Sequence, residues 1–217
     1  MDDVGIPTDD LARVADAQDR VVAVLAPLRD ADLRRASLLP GWTVGHVVAH
    51  LARNADSHRR RAEAAARGEV IDQYPGGFAA RAAEIDAGAD RPAAALLDDV
   101  RTSADAMDDA WRRVPDGAWR NVTRDVSGRE RPLSALPARR WQELEVHGLD
   151  LGVGVTPRDW SDDFVAVSLP LLRPTVRGRL PAGAQPPAAG QLDERDELAW
   201  LYGRLARPDL PVLAPWG

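Results

Sequence analysis

The sequence predicts a mainly α-helical protein: a four-helix bundle followed by a short, reduced C-terminal α or α/β segment. Three observations carry this prediction. Four long stretches before residue 152 repeat apolar residues at helical spacing. Proline and glycine clusters separate those stretches. After Pro157 the composition shifts toward proline, glycine and alanine. The expected boundaries are 1–154 for the bundle and 155–217 for a small C-terminal segment packing on it.

The first helix reads as 8–29. Thr8 is its candidate cap, and Leu11, Val14, Gln18, Val21, Val22, Leu25 and Leu28 fall near one face. Pro40-Gly41 breaks the chain before a second helix from about Thr43 to Arg67, striped by Val44, Val47, Val48, Leu51 and Ala55 and stopped by Gly68. Tyr74-Pro75-Gly76-Gly77 signals a loop, and a short helix follows over 78–87. The third long helix covers 91–114, with Leu96, Leu97, Val100, Ala104, Met107, Trp111 and Val114 as its stripe, and Pro115-Asp116-Gly117 ends it. Residues 118–133 suggest a hairpin turning at Ser127-Gly128. The fourth helix runs from Ser134 to Leu151, with Pro137 tolerated in its first turn and Gly152 and Gly154 beyond its end. Residues 160–173 read as helical, 178–191 as a flexible loop and 193–206 as a last helix carrying Leu198, Trp200, Leu201 and Leu205. Pro208, Pro211 and Pro215 impose an extended tail.

With 217 residues, 45% hydrophobic and 29% charged, the chain can bury a sizeable core. A net charge of -6 argues against general nucleic-acid binding and against a basic membrane surface. No apolar run approaches the roughly 18–20 residues that span a bilayer. The acidic start MDDVGIPTDD lacks a signal-peptide core, so a cytoplasmic location is expected. Cysteine is absent, which removes disulfides, thiolate metal ligands and a cysteine nucleophile. Any thiol used in catalysis must therefore come from outside. Lysine is absent as well, which removes Schiff-base chemistry.

There are four histidines: His46, His50, His58 and His147. Glu143 and His147 are four apart and project from one side of the fourth helix, which also carries Leu136, Leu144 and Leu151. A carboxylate beside an apolar face calls for a partner or a metal. The plain alternative is an i,i+4 hydrogen bond on a half-exposed face. His46 and His50 are also four apart, but both lie off the stripe of the second helix, His50 nearer to it. Spacing alone favours solvated or helix-capping roles for them. His58 heads an arginine run, His58-Arg59-Arg60-Arg61, that reads as a solvated face. A histidine from the second helix joined to the Glu143/His147 pair would give a His₂Glu site with an open position, the pattern of catalytic zinc. No phosphate-binding, dinucleotide-binding, nucleophile-elbow or HExxH motif is present. The seven tryptophans read as core.

LPGWTVGHVVAHLARNADSHRRRAEAA (39–65), Tyr74-Pro75-Gly76-Gly77 with Arg81 and Ile85, RRWQELEVHGLDLGVG (139–154) and ELAWLYGR (197–204) with a terminal Pro-Trp together resemble the mycothiol-dependent maleylpyruvate isomerase family. The resemblance implies a DinB-like bundle that binds a divalent metal, zinc by preference, through His50, Glu143 and His147, with mycothiol as thiol cosubstrate. His46 belongs to the motif without being an expected ligand. Arg204 matches an arginine that the family implicates in the reaction, and Arg81 is a further candidate for holding a carboxylate, its plain role being an ion pair with Glu84. Asp150 and Asn54 stand where groups that orient the ligands would. The Pro/Ala-rich stretch 181–190 replaces strand-forming sequence expected of the family's small α/β domain.

The implied activity is cis-trans isomerisation by thiolate addition, rotation and elimination. The partners are mycothiol and a small-molecule electrophile, a carboxylic acid among the candidates. Two other readings remain open: a mycothiol S-transferase acting on another electrophile in detoxification or natural-product biosynthesis, and a non-catalytic metal-binding module.

Overall fold

A computed structural model describes residues 5–215. The acidic start as far as Val4, and Trp216 of the terminal Pro-Trp, lie outside the described residues. The chain divides into two compact units, one ending at Val153 and one beginning at Gly154.

Among its described residues the first unit has six α-helices: α1 (Thr8–Leu25), α2 (Asp30–Leu33), α3 (Val44–Ala66), α4 (Gly77–Ala89), α5 (Ala93–Arg112) and α6 (Leu136–Asp150). α3 packs on α5 and α6, and α1 packs on those same two helices, so the four long helices close into a ring. α1 buries Val14, Ala17, Gln18, Val21 and Leu25, the stripe its periodicity predicts. Thr8 is not its cap. The helix starts at Thr8 itself, after Pro7, and no side chain caps it. Arg20 and the indole of Trp141 both donate to Oε1 of the buried Glu145, at 2.6 and 3.0 Å, which ties α1 to α6.

α3 is the central element. Val44, Val47, Val48, Leu51, Ala52 and Ala55 are all at most 1% exposed, and burial continues around most of the helix. Its many alanines let neighbours approach closely. Gly45 is the extreme case: a Cβ there would collide with the carbonyl of Ala89, so α4 rests directly on the α3 backbone. Thr43 and His46 form a reciprocal cap, the His46 N–H reaching the Thr43 hydroxyl and the Thr43 N–H reaching His46 Nδ1 at 3.2 Å. His46 thus takes the capping role that its spacing suggested.

The predicted hairpin is short: β1 (Val122–Arg124) pairs antiparallel with β2 (Glu130–Pro132), in the register Val122 to Pro132. Asp125 closes its turn by accepting from the backbone N–H of Ser127 and Arg129.

The second unit holds α7 (Asp162–Leu172), α8 (Val176–Arg179) and α9 (Glu194–Leu201), with no strand among its described residues. Ser161 and Asp193 cap α7 and α9. Its core is Trp160, Phe164 and Tyr202, with Phe164 stacked on Tyr202 at 6.0 Å. The last helix is shorter than its hydrophobic pattern suggests. Gly203, at φ +72°, closes a Schellman turn in which the Gly203 N–H reaches the Trp200 carbonyl and the Arg204 N–H the Ala199 carbonyl. Arg204 therefore lies past the helix, not within it.

Candidate metal centre

His50 on α3 and Glu143 and His147 on α6 converge. One ligand atom from each lies within 4.8 Å of the other two. His50 Nε2 is 2.9 Å from Glu143 Oε2, and His147 Nε2 is 3.4 Å from the same oxygen. The two imidazoles meet edge to face, 4.6 Å between centroids. His50 is 2% exposed, which corrects the solvated role its helical-wheel position suggested. The wheel supposes one buried face, whereas α3 is covered by α4, α5 and α6 together.

The groups behind the ligands are specific. His147 Nδ1 bonds Asp150 Oδ2 at 2.8 Å, and Asp150 is fully buried, so Nε2 is turned to Glu143. Arg81 of α4 lies 3.0 Å from His50 Nδ1. A guanidinium has only donors, so Nδ1 accepts and Nε2 carries the proton toward Glu143. Arg81 also lies over the rings of Trp42 (5.9 Å) and Tyr74 (5.5 Å). The expected ion pair with Glu84 does not form. Among the described residues Arg81 has no carboxylate partner. Asn54 does not reach the ligands; its Oδ1 accepts from Arg140 at 2.9 Å.

Burial would raise the Glu143 carboxyl, but hydrogen bonds from His147 and His50 outweigh it and hold Glu143 well below the usual carboxylate range. Burial pushes His50 down to about 4, against the pull of Glu143. For His147 burial is overcome by Asp150 and Glu143, which raise it to about 9. The trio at neutral pH is thus a carboxylate, a neutral imidazole and an imidazolium.

Two imidazoles and a carboxylate suit a borderline-soft divalent cation such as zinc. Ligand bonds of about 2.0–2.1 Å at tetrahedral angles separate donor atoms by about 3.3 Å, close to the 2.9 and 3.4 Å found here. All three donor atoms lie within 4.8 Å of one another, so they can converge on one such ion.

A profile of the mycothiol maleylpyruvate isomerase N-terminal domain matches residues 14–152. The chain belongs to this family. The matched span contains His50, Arg81, Glu143 and His147, and Arg204 lies beyond it. Two solved structures share the fold: a mycothiol-dependent maleylpyruvate isomerase (TM-score 0.81) and a variant of such an enzyme with one histidine replaced by alanine (TM-score 0.82). Each is 23% identical to this chain, and each match covers 97% of both chains. No curated protein sequence matches. The mycothiol maleylpyruvate isomerase domain is therefore present as a mainly α, DinB-like bundle, as the sequence predicted.

In this family member Arg204 sits in the second unit, where its Nη1 donates to the Tyr202 carbonyl at 2.7 Å. Trp42, counted among core tryptophans, is instead half-buried beside His46 and His50. Its signal was available, since Trp42, His46 and His50 follow at steps of four. His58 and Arg61, read as a solvated face, are 1% and 4% exposed. His58 meets Trp111 edge-on at 5.9 Å, and burial with the charges of Arg61 and Arg140 keeps it neutral.

Proposed function

We propose that this chain is a metal- and mycothiol-dependent isomerase of the maleylpyruvate isomerase type, with His50, Glu143 and His147 as its metal ligands. The convergence of those three side chains carries the reading. A divalent cation held there supplies a Lewis acid that lowers the pKa of a thiol, which this cysteine-free chain has to borrow.

The chain's own groups do the rest. Asp150 fixes His147 with Nε2 forward. When His50 serves as a ligand through Nε2, its ring proton sits on Nδ1, and Arg81 has no acceptor to offer it. Arg81 is then available to an anion, and a substrate carboxylate fits its planar fork. Arg204 is proposed for the same work. Thiolate addition to a cis alkene conjugated to a carbonyl forms a C–S bond and moves the π electrons onto the carbonyl oxygen. Rotation about the resulting single bond, then expulsion of the thiolate, gives the trans product and returns the thiol.

The test is metal analysis of the purified protein, then incubation with mycothiol and cis-alkene diacids followed by mass spectrometry. About one metal per chain and trans product with no net loss of thiol are expected. Stoichiometric thiol loss into an adduct would make the protein an S-transferase, and metal-free protein that turns over nothing would leave a binding module.

A further inference from the structure

The buried polar face of α3 does not stop at the metal centre. His50, Asn54, Ser57, His58 and Arg61 follow one another along it, all buried. Eleven residues are close to three full turns, so Arg61 lies on the same face as His50, about 16 Å along the axis. Its side chain folds back. Nε donates to the Ser57 carbonyl at 3.3 Å, which returns the guanidinium about one turn toward His50. Roughly 11 Å of helix separates the two levels.

Arg61 is 4% exposed, and among the described residues no acceptor bonds its two terminal nitrogens. Those nitrogens are not sealed in the core either. The fully enclosed, unpartnered side-chain atoms belong to Gln18, His58, Arg60, Trp111 and Arg140. Burial lowers Arg61 only to about 10, so it remains a cation at neutral pH, with Glu143 and Asp125 within electrostatic reach. Arg140, fully buried, differs in having its terminal nitrogens bonded to the Leu51 carbonyl, Asn54 and Gln18. A buried, charged fork with four free N–H donors is costly unless something fills it.

We propose that Arg61 is an anion-binding residue of this site, holding a carboxylate about two helical turns along α3 from His50. The inference rests on the proposed function for the identity of the site. It adds a second anion point, separate from the metal centre, that a small dicarboxylate can occupy without reaching the metal. A carboxylate on the cosubstrate thiol would have the same chemistry, and a thiol-free probe separates the two sources.

The experiment measures maleate binding calorimetrically to metal-loaded wild type, Arg61→Gln and Arg61→Lys, with metal content and thermal melting recorded for each. Arg61→Gln is expected to keep its metal and weaken maleate about tenfold or more, the loss of charge-assisted bonds. Arg61→Lys is expected to fall between the two, because it keeps the charge and loses the fork. Equal maleate affinity in a folded, metal-loaded Arg61→Gln overturns the proposal, as does absence of maleate binding to the wild type. Should Arg61→Gln fail to fold, Arg61→Lys decides alone: unchanged affinity overturns the proposal. A wild type that takes up no metal sinks the proposed function only. Maleate binding by the metal-free wild type and its Arg61→Gln variant then decides the role of Arg61.

Discussion

The two ends of the buried polar face on α3 are built differently. At the His50 end each of the three converging side chains has a partner: Glu143 lies between two imidazoles, His147 rests on Asp150 and His50 touches Arg81. At the Arg61 end the guanidinium reaches one backbone carbonyl, and His58 Nδ1 has no partner. The first arrangement organises itself without a ligand. The second is a deficit that a ligand would fill. The lesson is that a preorganised cluster and an unpartnered cation can share one buried helix face.

The contrast can be broken most severely at the first end. His147→Ala removes a proposed ligand and the contact to Asp150 together, and is expected to take metal content from about one per chain to near zero by elemental analysis, with the fold retained by circular dichroism. His50→Ala should do the same, and full occupancy in both variants would dismantle the centre. Next in size is pH. In the metal-free protein His147 is raised from 6.5 to about 9, while His50, at about 4, is already neutral above pH 6. Metal must therefore displace the His147 proton. Affinity is expected to climb about tenfold per pH unit from 7 toward 9 and then level off, with about one proton released per metal at pH 7 in calorimetry across buffers. A flat profile would place the proton elsewhere. The sign for folding is opposite. A raised histidine stabilises the metal-free fold fully below pH 6.5, and that contribution is lost as pH rises through 9. Asp150→Asn keeps the shape and removes the charge behind His147; a 10- to 100-fold weaker metal affinity is expected by competition with a chelator. Gly45→Ala removes no group from either end but pushes α4 off α3. A loss of about 1–3 kcal/mol in denaturant unfolding is expected, together with disturbance of the Arg81 contact to His50.

The four-helix architecture was legible because α1 and α5 each bury one stripe, the case for which periodicity works. Glu143 and His147 were legible by their i,i+4 spacing. His50, His58 and Arg61 were not, since on a helix covered from several sides the wheel has no solvent face to assign. The family resemblance, not the spacing, selected His50. Trp42 was missed because a tryptophan near a cap looks the same whether it fills a core or walls a site. The end of the last helix was overrun because Leu205 kept the apolar rhythm while Gly203 ended the helix through backbone geometry. Tyr74 was read only as a loop signal, yet its ring carries Arg81.

The contact at Gly45 has a mechanical consequence. α4 meets α3 through glycine, alanine methyls and main chain, with Gly88 facing Ala49 and Ala89 facing Gly45. At these glycines the two helices meet without intervening side chains, while elsewhere along α4 Arg81 reaches His50 and Asp86 approaches His46. Small lateral displacements of α4 would carry Arg81 along His50 while the ring of four helices kept its packing. The proposed ligands stand on two helices of the ring, and the cation beside them stands on a helix that packs against the ring from outside.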